Sequence, residues 1–268
     1  MDIVIGVYLF VLGLAFGSFA LAMTDRMKAG RDWVRGRSEC DECHHKLSPV
    51  DLVPVISWLS TGGRCRYCKK RLSRAYPLAE LVCGVSFALS FVFFPYELSG
   101  YGIGLLVIWL IGLVIMTSLL IFDVRWFLLP NKLVYPLQLV ALSHRLVIIM
   151  NNTVPLAKDL VTLGYTLLVS AGIFYLLHII SKGRWIGDGD VRLGVAMGLF
   201  LAGPAEAWLA IFVASLSGVF IAIPSLRKSK QALKMKLPFG PMLIFGLFVS
   251  YLFGSQIIDW YSSTFLFL

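Results

Sequence analysis

Seven separate runs of the chain, at 3–23, 77–96, 101–122, 133–150, 160–180, 208–226 and 238–258, are uncharged or nearly so over the length of a membrane-crossing helix. Such a helix needs about 20 apolar residues to cross a hydrocarbon core about 30 Å thick. A shorter run, 191–202, begins just after Asp190 and completes an eighth helix if it is tilted or half-buried. With 15% charged residues, against about a quarter in soluble domains, a globular soluble fold is excluded. A mean hydropathy of +0.82 excludes disorder as well. The expected fold is all-α: a polytopic membrane protein of about eight transmembrane helices.

The net charge of +9 invites a nucleic-acid reading, but the placement of the charges argues otherwise. With the N-terminus outside, the segments 24–76, 123–132, 181–192 and 227–236 are cytoplasmic and carry 22 of the 24 Lys and Arg residues. The exceptions are Arg145 and Lys158, and the C-terminus emerges outside. The excess charge is therefore topology, and no nucleic-acid partner is expected. The run Arg227-Lys228-Ser229-Lys230 with Lys234 and Lys236 reads as a topology determinant. Ala20-Leu21-Ala22 resembles a signal-peptidase box, yet the start carries no basic side chain and basic residues follow the run. Residues 1–23 are expected to be a retained anchor.

The one sizeable hydrophilic region, 24–76, contains Cys40-Asp41-Glu42-Cys43 and Cys65-Arg66-Tyr67-Cys68. Two C-x-x-C pairs at this separation read as a four-thiolate site resembling a zinc ribbon, because each tight turn lets two sulfurs reach the same ion. Cytoplasmic placement keeps the thiols reduced. A shell of four thiolates leaves no open coordination position, so the zinc would be structural. His44 and His45 are expected to be solvated, and Cys83, within an apolar run, to be a buried small side chain.

Ionisable groups at the membrane are the first functional suspects. Of the fifteen carboxylates, five fall at outer ends of the spans and six in the insert, leaving Glu80, Asp123, Asp188 and Asp190 toward the cytoplasmic side. Asp123 closes one span, and Asp190 opens the next apolar run within Gly187-Asp188-Gly189-Asp190. Two aspartates on separate spans at one depth can share a proton; the ionised member activates a water while the protonated one polarises a scissile carbonyl. Asp123 could instead pair with Arg125, and Asp190 could simply cap its helix. The glycines favour a functional reading, since they let the backbone approach a partner closely. Asp-Thr-Gly and Asp-Ser-Gly are both absent, which excludes a pepsin-type enzyme. Glu80 either pairs with Arg74 or contacts a substrate. His144 and Arg145 are expected to snorkel or to pair with neighbours.

Seven short boxes in order resemble those of the bacterial type IV prepilin peptidases, membrane aspartyl proteases of the GxGD type. They are Gly17-Ser18-Phe19; the two cysteine pairs with Leu52-Val53-Pro54 and Ser57-Trp58 between them; Arg74-Ala75-Tyr76-Pro77-Leu78-Ala79-Glu80-Leu81; Asp123 with Leu128-Leu129-Pro130; Gly187–Asp190 with Arg192-Leu193; and Pro238-Phe239-Gly240-Pro241. The resemblance implies removal of a short basic leader from prepilins or pseudopilins at the cytoplasmic membrane face. It also implies N-methylation of the new terminus with S-adenosylmethionine as donor. By position it makes Asp123 and Asp190 the catalytic pair, with Gly187, Asp188, Gly189, Pro238 and Gly240 accessory to them. Glu80 becomes a contact of the methyl-transfer site or the leader. The chain then divides into a first helix (1–23), a four-cysteine insert associated with methyl transfer (24–76) and a protease domain (77–268).

Three departures from the family pattern stand out. Arg125 and Asn131 replace acids of the first aspartate box, the Asn of the first-helix box is missing at Leu21, and Arg192 replaces a lysine. The alternatives that stay open are a protease without methyltransferase activity or acting on other leaders, and a non-enzymatic scaffold of a pilus or secretion machine. A proton-relaying transporter is a third, although no internal repeat is visible.

Overall fold

The computed structural model describes residues 2–32, 36, 38–40, 42–98, 100–228 and 238–266, and among these it is helical with no strand beyond two isolated bridges in the insert. In lipid every backbone N–H and C=O needs an internal partner, which commits each apolar run to helix. Ten helices follow in order: α1 Asp2–Lys28, α2 Ile56–Ser60, α3 Ala75–Val92, α4 Tyr101–Trp126, α5 Asn131–Asn151, α6 Leu156–Leu167, α7 Ile173–Ser181, α8 Asp188–Phe200, α9 Pro204–Lys228 and α10 Gly240–Tyr261. A wide π-type turn, Leu168–Gly172, joins α6 to α7 without breaking the span. The positions beyond Lys228 in the basic run, Ser229, Lys230, Lys234 and Lys236, lie outside the described residues.

Among the described residues, seven helical spans are long and apolar enough to cross a membrane. The expected eighth forms as α8, but its 13 residues reach only about 20 Å, short of the hydrocarbon core. The chain turns at Leu201–Gly203, where Pro204 starts α9.

The chain divides into two compact units. The first comprises Met1–Val92 and Leu113–Ile121; the second comprises Phe93–Gly112 and Phe122–Leu268. In the first, α1 and α3 touch backbone to backbone. A Cβ at Gly13 would lie 2.8 Å from Gly84 Cα, and one at Gly17 would lie 2.6 Å from Glu80 Cα, so only glycine permits this approach. Ala20, Leu21, Ala79 and Ile121 close the core beside that contact. Cys83 is fully buried.

The second unit has a consistent up-and-down order. α5 and α8 run parallel: Gln138 Nε2 donates to Arg192 O at 2.8 Å, and Arg145 Nη1 donates to Leu201 O at 3.4 Å. The α6–α7 span runs antiparallel to α8, with Gly194 against Ser170 and Ala171, and Gly198 against Leu167. α9 and α10 are also antiparallel, since Ser250 Oγ donates to Glu206 O at 2.6 Å while Gly218 faces Met242. α8 therefore carries the chain from one end of this unit toward the other, and α5 continues beyond it by six residues, about 9 Å.

His144 and Arg145 do not snorkel. Both are buried; His144 Nε2 meets Tyr251 Oη at 2.7 Å, and Arg145 reaches the carbonyl that follows α8. The reason is the shortness of α8. A helix ending among its neighbours leaves carbonyls that water cannot reach, and a guanidinium supplies donors there.

Candidate active site and metal centre

Asp123 stands in the last turn of α4, three residues before the helix ends at Trp126, and Phe127 closes the turn in the left-handed region at φ 53°. The Phe127 N–H donates to Asp123 O at 2.9 Å. The Asp123 side chain is buried, and the Gly240 N–H donates to its Oδ2 at 2.9 Å. Gly240 is the first residue of α10, so its N–H is one of the donors that a helix start leaves without an internal partner. A Cβ at Gly240 would sit 2.6 Å from Asp123 Oδ2, so this contact requires glycine. Pro241 occupies the first turn of α10 and Pro238 precedes the helix by two residues.

Asp190 lies in the first turn of α8. The Gly187 N–H donates to Asp190 Oδ2 at 3.3 Å, and the Asp190 N–H donates back to Gly187 O at 3.1 Å. Both carboxyls are thus tied through Oδ2 to a glycine N–H. Leu129 stands between the two glycine motifs: a Cβ at Gly189 would meet Leu129 Cβ at 2.8 Å, and one at Gly240 would meet Leu129 Cδ2 at 3.4 Å. Leu129 of the Leu128-Leu129-Pro130 box thus touches the glycine motifs of both aspartates and brings them to one side of the second unit.

Asp188 is exposed and forms an i,i+4 ion pair with Arg192, whose guanidinium also donates to Asn131 Oδ1. Two of the departures from the family pattern, Asn131 and Arg192, are therefore hydrogen-bonded partners. A neutral amide takes one guanidinium N–H while Asp188 answers the charge. Sequence spacing alone gave no sign of this pairing across 61 residues.

Glu80 belongs to the first unit. It accepts the Val55 N–H at 2.7 Å, which ties it to the insert. It lines a cavity of about 810 Å³ bounded by α1, the start of α3 and the insert, with Ser18, Asp25, Trp58, Arg66 and Tyr76 also in its wall. Trp58 Nε1 is buried without a hydrogen-bond partner.

The four cysteines converge: their sulfurs all lie within 4.8 Å of one another, with Cys40 Sγ to Cys68 Sγ at 3.8 Å. A tetrahedral ion with metal–sulfur bonds near 2.3 Å requires sulfurs about 3.8 Å apart, so the donor set fits a metal. The two knuckles, Cys40 with Cys43 and Cys65 with Cys68, repeat one design. His44 N donates to Cys40 O at 2.9 Å and Lys69 N to Cys65 O at 3.0 Å, and both His44 and Lys69 have positive φ. Beside the second knuckle, Asp51 accepts from Ser48, from Arg66 Nε at 2.7 Å and from Tyr67 Oη at 3.0 Å. Burial alone would raise its pKa, but these donors outweigh it and hold the carboxyl at about 2.

Residues 11–94 match the model of the bacterial peptidase A24 N-terminal domain, and residues 110–223 match that of the type IV leader peptidase family. The chain is 31% identical over 260 residues to a prepilin leader peptidase/N-methyltransferase of Bacillus subtilis (strain 168), covering 94% of this chain and 96% of the relative. The chain belongs to the type IV leader peptidase family. A Stutzerimonas stutzeri relative of the same name is 30% identical, over 92% of this chain and 90% of its own length. One from Aeromonas salmonicida (strain A449) is 29% identical, over 86% and 76%. No solved structure matches the chain. It is thus a multi-pass membrane enzyme of a protease family, and its four-cysteine cluster is able to hold a metal.

Proposed function

We propose that the protein removes leaders from prepilins or pseudopilins with Asp123 and Asp190 as the catalytic pair, and that it methylates the new amino terminus. The observation that carries the peptidase reading is the paired anchoring: two carboxyls from different helices, each bound through Oδ2 by a glycine N–H, with Leu129 against both glycine motifs. One aspartate takes a proton from water as the oxygen attacks the scissile carbonyl, and the other gives its proton to the carbonyl oxygen. Collapse of the tetrahedral adduct breaks the C–N bond, with the proton passing to the leaving amine. Glycine anchoring through Oδ2 keeps Oδ1 of each carboxyl outside these bonds.

The positive-inside count favours an N-terminus outside and the aspartate pair at the cytoplasmic face of the inner membrane. The end of α4 and the starts of α8 and α10 share one end of the second unit, which agrees with this orientation. The four-thiolate shell, with its chemistry and spacing, favours structural zinc. For methyl transfer, the cavity beside Glu80 has the volume and the polar wall that suit S-adenosylmethionine; Glu80 and Asp25 would hold it, and when bound it supplies the methyl group. Relatives named peptidase/N-methyltransferase support both activities.

Co-expression with a prepilin, reading leader removal and N-terminal mass together, tests the proposal. Wild type is expected to cleave and to add the mass of one methylene, while Asp123→Asn and Asp190→Asn leave the leader attached. Cleavage persisting in either variant would refute the pair, and correct cleavage without the added mass would refute the methyl transfer alone.

A further inference from the structure

Between the two cysteine knuckles runs Val50-Asp51-Leu52-Val53-Pro54-Val55-Ile56-Ser57-Trp58-Leu59. Four of its aliphatic side chains face outward, Val50, Ile56 and Leu59 at 62%, 64% and 63% exposed and Val53 exposed too, while Leu52 and Trp58 turn to the wall of the cavity beside Glu80. Its polar group turns the other way, since Asp51 bonds to Ser48, Arg66 and Tyr67 within the insert. A one-sided apolar surface of this kind calls for a partner.

The depth of the segment identifies that partner. Val55 donates its N–H to Glu80, whose Cα lies against Gly17 of α1, 2.6 Å from where a Cβ there would sit. Glu80 lies three residues, about 4.5 Å, inside the apolar run that opens at Pro77 on α3. Gly17 lies six residues, about 9 Å, inside the apolar run that closes at Met23 on α1. The backbone at Val55 therefore sits well below the level at which both helices leave their apolar stretches, within the roughly 5–10 Å reached by interfacial elements. Val55 is held there in a tight turn: its φ is 61°, rare for a β-branched residue, and the Ile56 N–H closes onto Pro54 O at 2.5 Å.

We propose that residues 50–59 are an interfacial anchor, embedding Val50, Val53, Ile56 and Leu59 in the lipid of the leaflet on the insert's side. The segment rests the metal knuckles on the bilayer surface, with Glu80 as its tether to α1 and α3. The surrounding insert carries twelve Lys and Arg against six acids, which suits anionic headgroups. This inference stands on depth and exposure and does not depend on the assigned activity.

Nitroxide labels on p-acetylphenylalanine at positions 56 and 59, and at Lys70, an exposed position of the same insert, as the aqueous control, leave the cysteines untouched. The full-length protein is reconstituted in phosphatidylglycerol/phosphatidylethanolamine vesicles, and relaxation by oxygen is compared with relaxation by a water-soluble nickel chelate. The oxygen-to-chelate ratio is expected to be several-fold higher at 56 and 59 than at 70. Equal ratios at all three sites would place the segment in water and overturn the anchor. Exclusion of both reagents from 56 and 59 would mean a protein partner or second copy covers the face, and would overturn it equally. Retained metal content shows that each labelled insert is folded, and leader cleavage by the same samples reports on the activity separately.

Discussion

Gly240 gives the sharpest test of how the aspartates are held. Alanine there keeps the backbone N–H that Asp123 accepts, so only a methyl group is added. That methyl group would lie 2.6 Å from Asp123 Oδ2, where ordinary contact begins at 3.4 Å, so the carboxylate must retreat by about 0.8 Å. Leu129 Cδ2, already 3.4 Å from the same point, limits retreat on that side. With Asp123 in its proposed catalytic role, misplacing it by about 1 Å costs on the order of a hundredfold in rate, so Gly240→Ala is expected to lower kcat by about ten- to a hundredfold with KM little changed. In activation free energy this is about 1.4–2.7 kcal/mol. Helix propensity works in the opposite direction, because Ala in place of Gly gains about 0.4–1 kcal/mol of stability where the backbone tolerates it. Gly104→Ala in α4, with nothing within 4 Å of the added Cβ, controls for that gain. The assay is initial-rate leader cleavage by purified protein in detergent, with thermal melting of both variants alongside. A Gly240→Ala enzyme that is folded and turns over at the rate of the Gly104→Ala control would refute the positioning argument.

In the first unit, Gly17→Ala forces a Cβ against Glu80 Cα and Ala79 O, both backbone, and is expected to destabilise by about 1–3 kcal/mol, as overpacking does. Because Ser18 and Glu80 shift with it, the added methyl mass is expected to fall more than cleavage does; an unchanged melt and product mass would count against the tight α1–α3 contact. Cys68→Ser is expected to abolish stoichiometric zinc in the purified protein, read by plasma mass spectrometry, whereas full zinc in that variant would mean the four thiolates are not the site. The Asp51 carboxyl, held at about 2, is below its unfolded value near 3.9, so its contribution is complete above that value and lost as the pH falls through about 2. Asp51→Asn is therefore expected to lower the melting temperature at pH 6, and identical melts there would remove the claim.

The spans, the insert and the four-cysteine site are legible in the sequence because each rests on a local signal: a run of apolar residues, or two cysteines on a tight turn. Asp123 and Asp190 are legible as charges at the edges of apolar runs, but their anchors are not. Nothing in the periodicity announces that Gly240 will reach Asp123 across 117 residues, or that Arg192 will meet Asn131. A signal exists for the helix packing, since Gly13 and Gly17 on α1, and Gly194 and Gly198 on α8, are spaced four apart in the manner of close-packing membrane helices. Snorkelling fails for Arg145 because it assumes a helix exposed to lipid near its end. The burial of this arginine follows from a neighbour that stops early, which only the three-dimensional arrangement reveals.

The short α8 and the buried arginine are two sides of one solution. Asp190 needs a helix start within the second unit, beside the end of α4, and a span of ordinary length is not required to provide one. Gly194 and Gly198 seat α8 against the π-type turn at Ser170, where ordinary side chains would hold the helices apart. Once α8 ends at Phe200, its last carbonyls face protein rather than water. Arg145 answers the carbonyl of Leu201 from α5, the same helix whose Gln138 donates to Arg192 O near Asp190. α5 thus grips α8 at both ends. The first aspartate sits on a long membrane helix, the second on a short one clamped along its length, and neither carboxyl depends on a flexible loop for its position.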